Sequence, residues 1–279
     1  MTEVESPRLP GGGRITPLPE RPAGAFHFST DYRIRAGDVD QELRLRFDSV
    51  ARYLQDVAND NLAASTFGFT DPFWLVRRTV IDVLEPIAWP GTVHLERWCS
   101  ALSTRWAQMR VRMIATPETD RINSDPTRGG LIETESFWIN VNDSGMPTRI
   151  SDGGFEYLSS MTSEHRLRWR QFNDSTLPGS GSKDLATDRP HILRTTDFDP
   201  LKHVNNSAYW AVIEDELIDH PDLKNVPHRA VIEYLRPIAP RSDITVRRRR
   251  AGDELHVWMI VDDQVTTTVT VTKMLPTTT

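Results

Sequence analysis

The sequence predicts an α+β fold built from two tandem copies of one unit, each a long helix packed against an antiparallel sheet. The first observation is an internal repeat: Arg78–Ala88 matches Arg229–Ala239 at an offset of 151, with seven of the eleven residues identical. The second is that Asp40 matches Asp199 at an offset of 159, and an amphipathic helix follows each. Two matches in the same order along the chain indicate a duplication.

The elements of the first copy follow from the spacing of its apolar residues. A helical period begins at Phe47 and ends before Gly68. Branched and aromatic residues, separated by turn signals such as Trp89-Pro90-Gly91, predict an antiparallel meander around this helix. The predicted strands are Phe26–Arg35, Thr79–Leu84, Thr92–Trp98, Trp106–Ile114 and Ile132–Val141, and the loop at 116–130 has the length of an insertion.

The repeat also predicts the division of the chain. Residues 1–24 are rich in proline and glycine and are expected to form a flexible tail, because they offer little apolar surface to bury. The first unit is then 25–156, the linker 157–186 and the second unit 187–275. Two such units side by side can join their sheets and remove exposed strand edges, which predicts a pseudo-dimer.

Composition excludes several classes of protein. The net charge of −6 and the pI of about 5.8 give no general attraction to nucleic acid. Cys99 is the single cysteine, so an internal disulfide and a cysteine-rich metal site are excluded, and its thiol is expected to be inert. The start of the sequence lacks a basic, apolar signal, and no run approaches the ~18 apolar residues that span a bilayer. We expect a cytoplasmic protein.

The chemistry-bearing residues of the second copy lie just before a helix. Asp199 and His203 precede a helix that starts near Asn205 or Asn206, where unpaired N–H groups carry a partial positive charge. Backbone donors from Val204 to Asn206 could therefore stabilise an oxyanion beside an acid/base pair, which indicates acyl transfer. The alternative is structural: an Asx turn at Asp199, a histidine satisfied by the backbone, and asparagines that only cap the helix.

The pattern Asp-x-x-x-His-Val-Asn-Asn-x-x-Tyr from Asp199 to Tyr209, with the duplication and the order of elements, resembles the acyl-acyl-carrier-protein thioesterases, which are tandem hot dog proteins. The resemblance runs from about residue 26 to residue 274. It implies that the chain hydrolyses fatty acyl-acyl-carrier-protein to a free fatty acid and the carrier thiol in fatty acid biosynthesis, without a metal or organic cofactor. Asp199 and His203 carry over as catalytic residues.

The chain also departs from the plant members of that family. They have an asparagine where this chain has Leu201, and an acid and a cysteine where it has Pro237 and Ile238. The complete plant-type catalytic network therefore does not transfer. Asp199 could activate a water or attack the carbonyl directly, while His203 positions or protonates, and the sequence does not choose between these routes.

Alternative functions remain open at this level. One is an acyl-CoA thioesterase, another an enoyl-thioester hydratase, and a third a non-enzymatic binder of acyl thioesters. The hydratase signature requires a histidine at position 202, which is Lys202. The expected partner is an acyl carrier protein or a CoA thioester, with no nucleic acid and no membrane span, and a homodimer is left open.

The run Arg247, Arg248, Arg249 and Arg250 supports two interpretations equally. Arginine suits the phosphate of a phosphopantetheine arm and the acidic surface of a carrier protein, which predicts a docking site. A run at the end of a sheet, with side chains alternating between both faces, explains it as well.

The offset of 159 predicts that the second copy alone is catalytic. Arg44 lies opposite His203, and an arginine does not exchange protons near neutral pH. The first copy instead carries small residues along its helix, which predict a tunnel for the acyl chain. These are Ala51, Ala58, Ala63 and Ala64.

Overall fold

The computed structural model describes residues 15–124, 129–178, 186–200 and 202–274. Two units of the same plan follow one another along the chain. The first contains β1 (Phe28–Arg33), α1 (Phe47–Ala63), β2 (Trp74–Glu85), β3 (Gly91–Leu102), β4 (Trp106–Pro117), β5 (Leu131–Asn140) and α2 (Asp152–Ser159). The second contains β6 (Thr187–His191), α3 (Asn206–Leu217), α4 (Pro221–Lys224), β7 (His228–Tyr234), β8 (Ile244–Ala251), β9 (Glu254–Val261) and β10 (Gln264–Lys273).

All ten strands form one antiparallel sheet in the order β1-β3-β4-β5-β2-β7-β10-β9-β8-β6. The two copies join where β2 pairs with β7. Arg78 lies opposite Glu233 there and Asp82 opposite Arg229, so the two halves of the repeat meet about a pseudo-two-fold axis. Arg229 holds Asp82 through two hydrogen bonds of 2.6 Å, and Arg78 approaches Glu233 to 3.9 Å. The predicted α+β pseudo-dimer with a joined sheet is confirmed.

The long helices α1 and α3 contact each other across the join. Their apolar faces enter one core that spans both copies, and Phe47 and Trp210 pack there with ring centroids 5.2 Å apart. Fully burying a large apolar side chain contributes roughly 1.5–3 kcal/mol. The core therefore couples the two units as well as stabilising each one.

Irregular segments cross the opposite face of the sheet. The Phe172 and Asn173 N–H groups donate to the buried Glu233 carboxylate, so Glu233 holds this segment against the sheet. Near the N-terminus, Pro19 accepts from Arg110 and Glu20 pairs with Arg112. Most of the predicted flexible tail, residues 1–14, lies outside the described residues, as do positions 179–185 of the predicted linker.

Helix α2, capped by Ser151, was not predicted, because its eight residues are too few to show a clear helical period. Cys99 is buried, and burial raises the pKa of its thiol to about 12, as expected for an inert cysteine. Within the described ranges, no helix has both the length and the apolar character needed to cross a membrane.

Candidate active site

The turn before α3 holds Asp199 and His203 in a fixed backbone geometry. The Asp199 N–H donates to the His203 carbonyl at 2.9 Å, and the Asp199 carboxylate accepts the His203 N–H at 3.0 Å through Oδ1. Lys202 completes the turn with a φ of 63°, in the left-handed region. The Asx turn of the structural interpretation is therefore present. It leaves the Asp199 Oδ2 oxygen and the His203 ring without a hydrogen bond to any described residue.

The N-terminus of α3 is built by Asn205. Its Oδ1 accepts the Ser207 N–H at 2.9 Å and the Ser207 hydroxyl at 2.8 Å, which is the side-chain capping predicted for an asparagine here. The Val204 and Asn206 N–H groups have no hydrogen-bond partner among the described residues. The end of α3 thus offers two backbone donors next to Asp199.

The first copy repeats this turn but closes it. Asp40 accepts the Arg44 N–H at 2.9 Å, and Leu43 has the same φ of 63° as Lys202. Here, however, the Leu45 N–H, which corresponds to that of Val204, donates to the Ile87 carbonyl at 2.8 Å. The Trp89 N–H also donates to Leu43, at 2.9 Å. The first-copy turn is therefore bonded to the segment after β2.

No such bonds form in the second copy between residues 202–204 and the corresponding segment 238–240. Pro240 stands where the first copy has Trp89 and has no N–H to donate. A cleft of about 550 Å³ lies beside this segment. It is lined by residues 190–195, Phe198 and residues 240–245. The second-copy turn therefore lacks the backbone bonds that the first-copy turn makes to this segment. The cleft borders the segment at Pro240, but Asp199, His203 and residues 204–206 are not among its lining residues.

The first-copy helix N-terminus is also occupied by a carboxylate. Glu214 accepts the Phe47 N–H at 3.0 Å, and Lys224 bridges Glu214 at 3.4 Å and Asp40 at 3.0 Å. Burial raises the pKa of Glu214, although the Phe47 N–H and Lys224 oppose the rise. Glu214 and its ion pair with Lys224 therefore occupy the N-terminus of α1, whereas no carboxylate of the described residues accepts the corresponding Asn206 N–H at α3.

Two tyrosines, Tyr209 buried and Tyr234 partly buried, distinguish the second copy from the first and were not predicted as functional. Tyr209 and Tyr234 pack with ring centroids 5.2 Å apart, whereas the repeat places Val50 and Val83 at these positions in the first copy. Burial raises the pKa of Tyr209 to about 12; the charge of Asp199 adds to the rise, and the Ile238 backbone opposes it. Tyr209 is thus an uncharged phenol close to Asp199. The replacement of Val50 by a tyrosine in the second copy is the sequence signal that could have pointed to it.

The remaining residues singled out in the sequence are those that depart from the plant pattern and the arginine run 247–250. Leu201 lies outside the described residues, and Ile238 is buried. The arginine run alternates between the two faces of β8, as the structural interpretation expects. Arg247 pairs with Asp188, Arg248 with Glu216 and Asp219, and Arg250 with Asp222, while Arg249 lies over the Trp258 ring. Docking by these arginines stays a prediction, and internal ion pairs account for three of the four.

Comparison with known proteins extends over most of the chain. Residues 25–156 match the model of the acyl-ACP thioesterase N-terminal domain, and residues 182–272 match that of the C-terminal domain. Two uncharacterized proteins from strains of Mycobacterium tuberculosis are each 39% identical over 249 residues, which is 89% of this chain and 92% of theirs.

Two solved structures are similar in fold. One is an acyl-ACP thioesterase from Bacteroides thetaiotaomicron, with a TM-score of 0.65 and 15% identity, covering 88% of this chain and 97% of the other. The second is a 12:0-ACP thioesterase from Umbellularia californica, with a TM-score of 0.63 and 17% identity, covering 88% of this chain and 96% of the other.

Proposed function

The chain belongs to the acyl-ACP thioesterase family, and from this premise we propose that its catalytic centre is the turn and helix N-terminus formed by Asp199, His203 and the start of α3. The family resemblance inferred from the sequence and the tandem hot dog fold are confirmed. Hydrolysis of acyl-ACP thioesters is the activity that this family implies.

The difference between the two turns carries the assignment of the centre. Both copies have the same backbone turn, but only in the second copy do the N–H groups at the start of the helix lack a partner among the described residues. The oxygen of a thioester carbonyl becomes negatively charged when the carbon is attacked, and unpaired N–H groups can stabilise it by donating hydrogen bonds. The Val204 and Asn206 N–H groups provide them, whereas the corresponding Leu45 group is bonded to Ile87.

The proposed reaction uses Asp199 in one of two ways. As a general base, it takes a proton through Oδ2 from a water that attacks the carbonyl carbon; a C–O bond forms and the C–S bond breaks. As a nucleophile, it attacks the carbonyl itself, and water then hydrolyses the resulting anhydride. In both routes the donors of α3 stabilise the oxyanion, and the departing thiolate takes up a proton, a step that we assign to His203.

The test is thiol release from a panel of acyl thioesters that differ in chain length and in carrier, acyl carrier protein or CoA. We expect wild-type protein to release thiol with a preference for the carrier protein, and His203→Ala to lower the rate. Loss of the double-bond absorbance of a crotonyl thioester without thiol release would indicate a hydratase. Saturable binding with no thiol released would indicate a binding protein, and either result would overturn the proposal.

A further inference from the structure

Helices α1 and α3 each contribute one side chain that contacts the N-terminus of the other helix. Gln55 of α1 reaches the start of α3, where its Nε2 donates to Asn205 Oδ1 at 2.9 Å and its Oε1 accepts from Asn205 Nδ2 at 3.3 Å. Glu214 of α3 reaches the start of α1 and accepts the Phe47 N–H. Positions 55 and 214 are separated by the repeat offset of 159, so they are the same position in the two copies.

These two side chains differ in charge. The N-terminus of a helix carries about half a positive charge and attracts an anion. At α1 that anion is present, since the Glu214 carboxylate lies on the Phe47 N–H. At α3 the corresponding residue is a neutral amide, and it bonds the capping side chain instead of the helix backbone.

The Gln55–Asn205 contact also fixes the cap. Asn205 Oδ1 accepts from Ser207 and from Gln55, and its Nδ2 donates back to Gln55. An asparagine amide bonded at both atoms cannot rotate without losing these bonds. The side chain of Asn205 is therefore held away from the unpaired Asn206 N–H, and the group that holds it comes from the other copy.

We propose that Gln55 is a positioning residue for the thioesterase centre: it holds Asn205 as the cap and keeps the α3 N-terminus free of an anionic side chain. The developing oxyanion of the substrate then takes the place that Glu214 fills at α1. This inference rests on the proposed function, because it concerns the same centre. In the joined architecture each helix N-terminus is contacted by a side chain of the other copy, Gln55 at α3 and Glu214 at α1, and only the α3 end is the proposed catalytic one.

The decisive variant is Gln55→Glu, which keeps the size of the side chain but places a carboxylate at α3. A structural role would survive this change, because the charge of a carboxylate near a helix N-terminus is favourable. A role in oxyanion binding would not survive it. We expect kcat to fall by about tenfold or more with little change in KM, while Tm stays at or above the wild-type value.

Four further variants separate the explanations. Gln55→Met keeps the volume without the hydrogen bonds and should lower kcat less than Gln55→Glu. Glu214→Gln is the mirror control and should leave kcat within a few fold. If Gln55 acts through Asn205, then adding Gln55→Met to Asn205→Ala should cause no further loss of kcat.

The outcomes also separate the two proposals. An active wild-type enzyme whose kcat is unchanged by Gln55→Glu would overturn the role of Gln55 alone. Equal losses in Gln55→Glu and Glu214→Gln would overturn it as well, because the effect would then lie in the joined helices. A wild-type protein that releases no thiol from any carrier would instead overturn the proposed function.

Discussion

The starts of α1 and α3 have the same backbone turn but differ in the groups that bond to it from outside. In both, an aspartate accepts the N–H four residues later and a left-handed residue closes the loop. At α1 the outer N–H of Leu45 is bonded to Ile87 and the helix end holds Glu214. At α3 the corresponding N–H groups, those of Val204 and Asn206, have no partner among the described residues. The comparison indicates that the turn alone is a structural motif, and the site that we propose lies at the turn whose N–H groups lack these partners.

The most severe test of this difference is to remove the same carboxylate from each copy. Asp199→Asn keeps the volume and removes the charge, so it should lower kcat by about 10² or more if Asp199 is base or nucleophile. Asp40→Asn should leave kcat within a few fold, because Asp40 is bonded to Lys224 and Arg44. Steady-state thiol release from both variants, with Tm as the control for folding, measures the contrast. A loss at Asp40 as deep as that at Asp199 would contradict the one-site model.

A second test asks whether the first copy holds the acyl chain. Ala51 and Ala58 are buried as a tunnel wall requires, but Ala63 and Ala64 are exposed and cannot line an internal tunnel, so that part of the prediction is wrong. Ala58→Phe should shift the preference toward shorter acyl chains and destabilise the fold by about 1–3 kcal/mol. Ala63→Phe, on the same helix, is the matched control. Identical chain-length profiles for wild type and Ala58→Phe would argue against a tunnel along this helix.

The repeat made most of the fold predictable. Two offsets located both turns, both helices and the joined strands, because a duplicated sequence keeps its hydrogen-bonding geometry. The closure of the first turn by Ile87 and Trp89 was not predictable, since backbone carbonyls leave no trace in residue identity. The one sequence signal of this closure is Pro240, which has no N–H group and so cannot form the bond that Trp89 forms in the first copy.

The site was predictable only in part, for a related reason. Asp199, His203 and Asn205 form a local motif, so their pattern indicated a helix start and its cap. Gln55 is 150 residues from Asn205, and their contact depends on how α1 crosses α3. A helix residue at a polar position gives no sign of its partner in another helix until the packing is known.

The smallest expected effect concerns how the first-copy site is held closed. Burial disfavours the charged form of Asp40, but the Arg44 N–H and the Lys224 ammonium outweigh it and hold the pKa of Asp40 below its usual value of 3.8. A carboxyl whose pKa is lowered by folding stabilises the fold above the unfolded pKa, and this stabilisation is lost as the pH falls through the folded pKa. Asp40→Asn should therefore lower the free energy of unfolding by about 1–2 kcal/mol near neutral pH. The difference from wild type should shrink toward zero below about pH 4. Denaturant unfolding across this range measures it, with Asp199→Asn as the control that removes no ion pair among the described residues. A difference that does not change with pH would show that the Asp40 charge does not hold the first site closed.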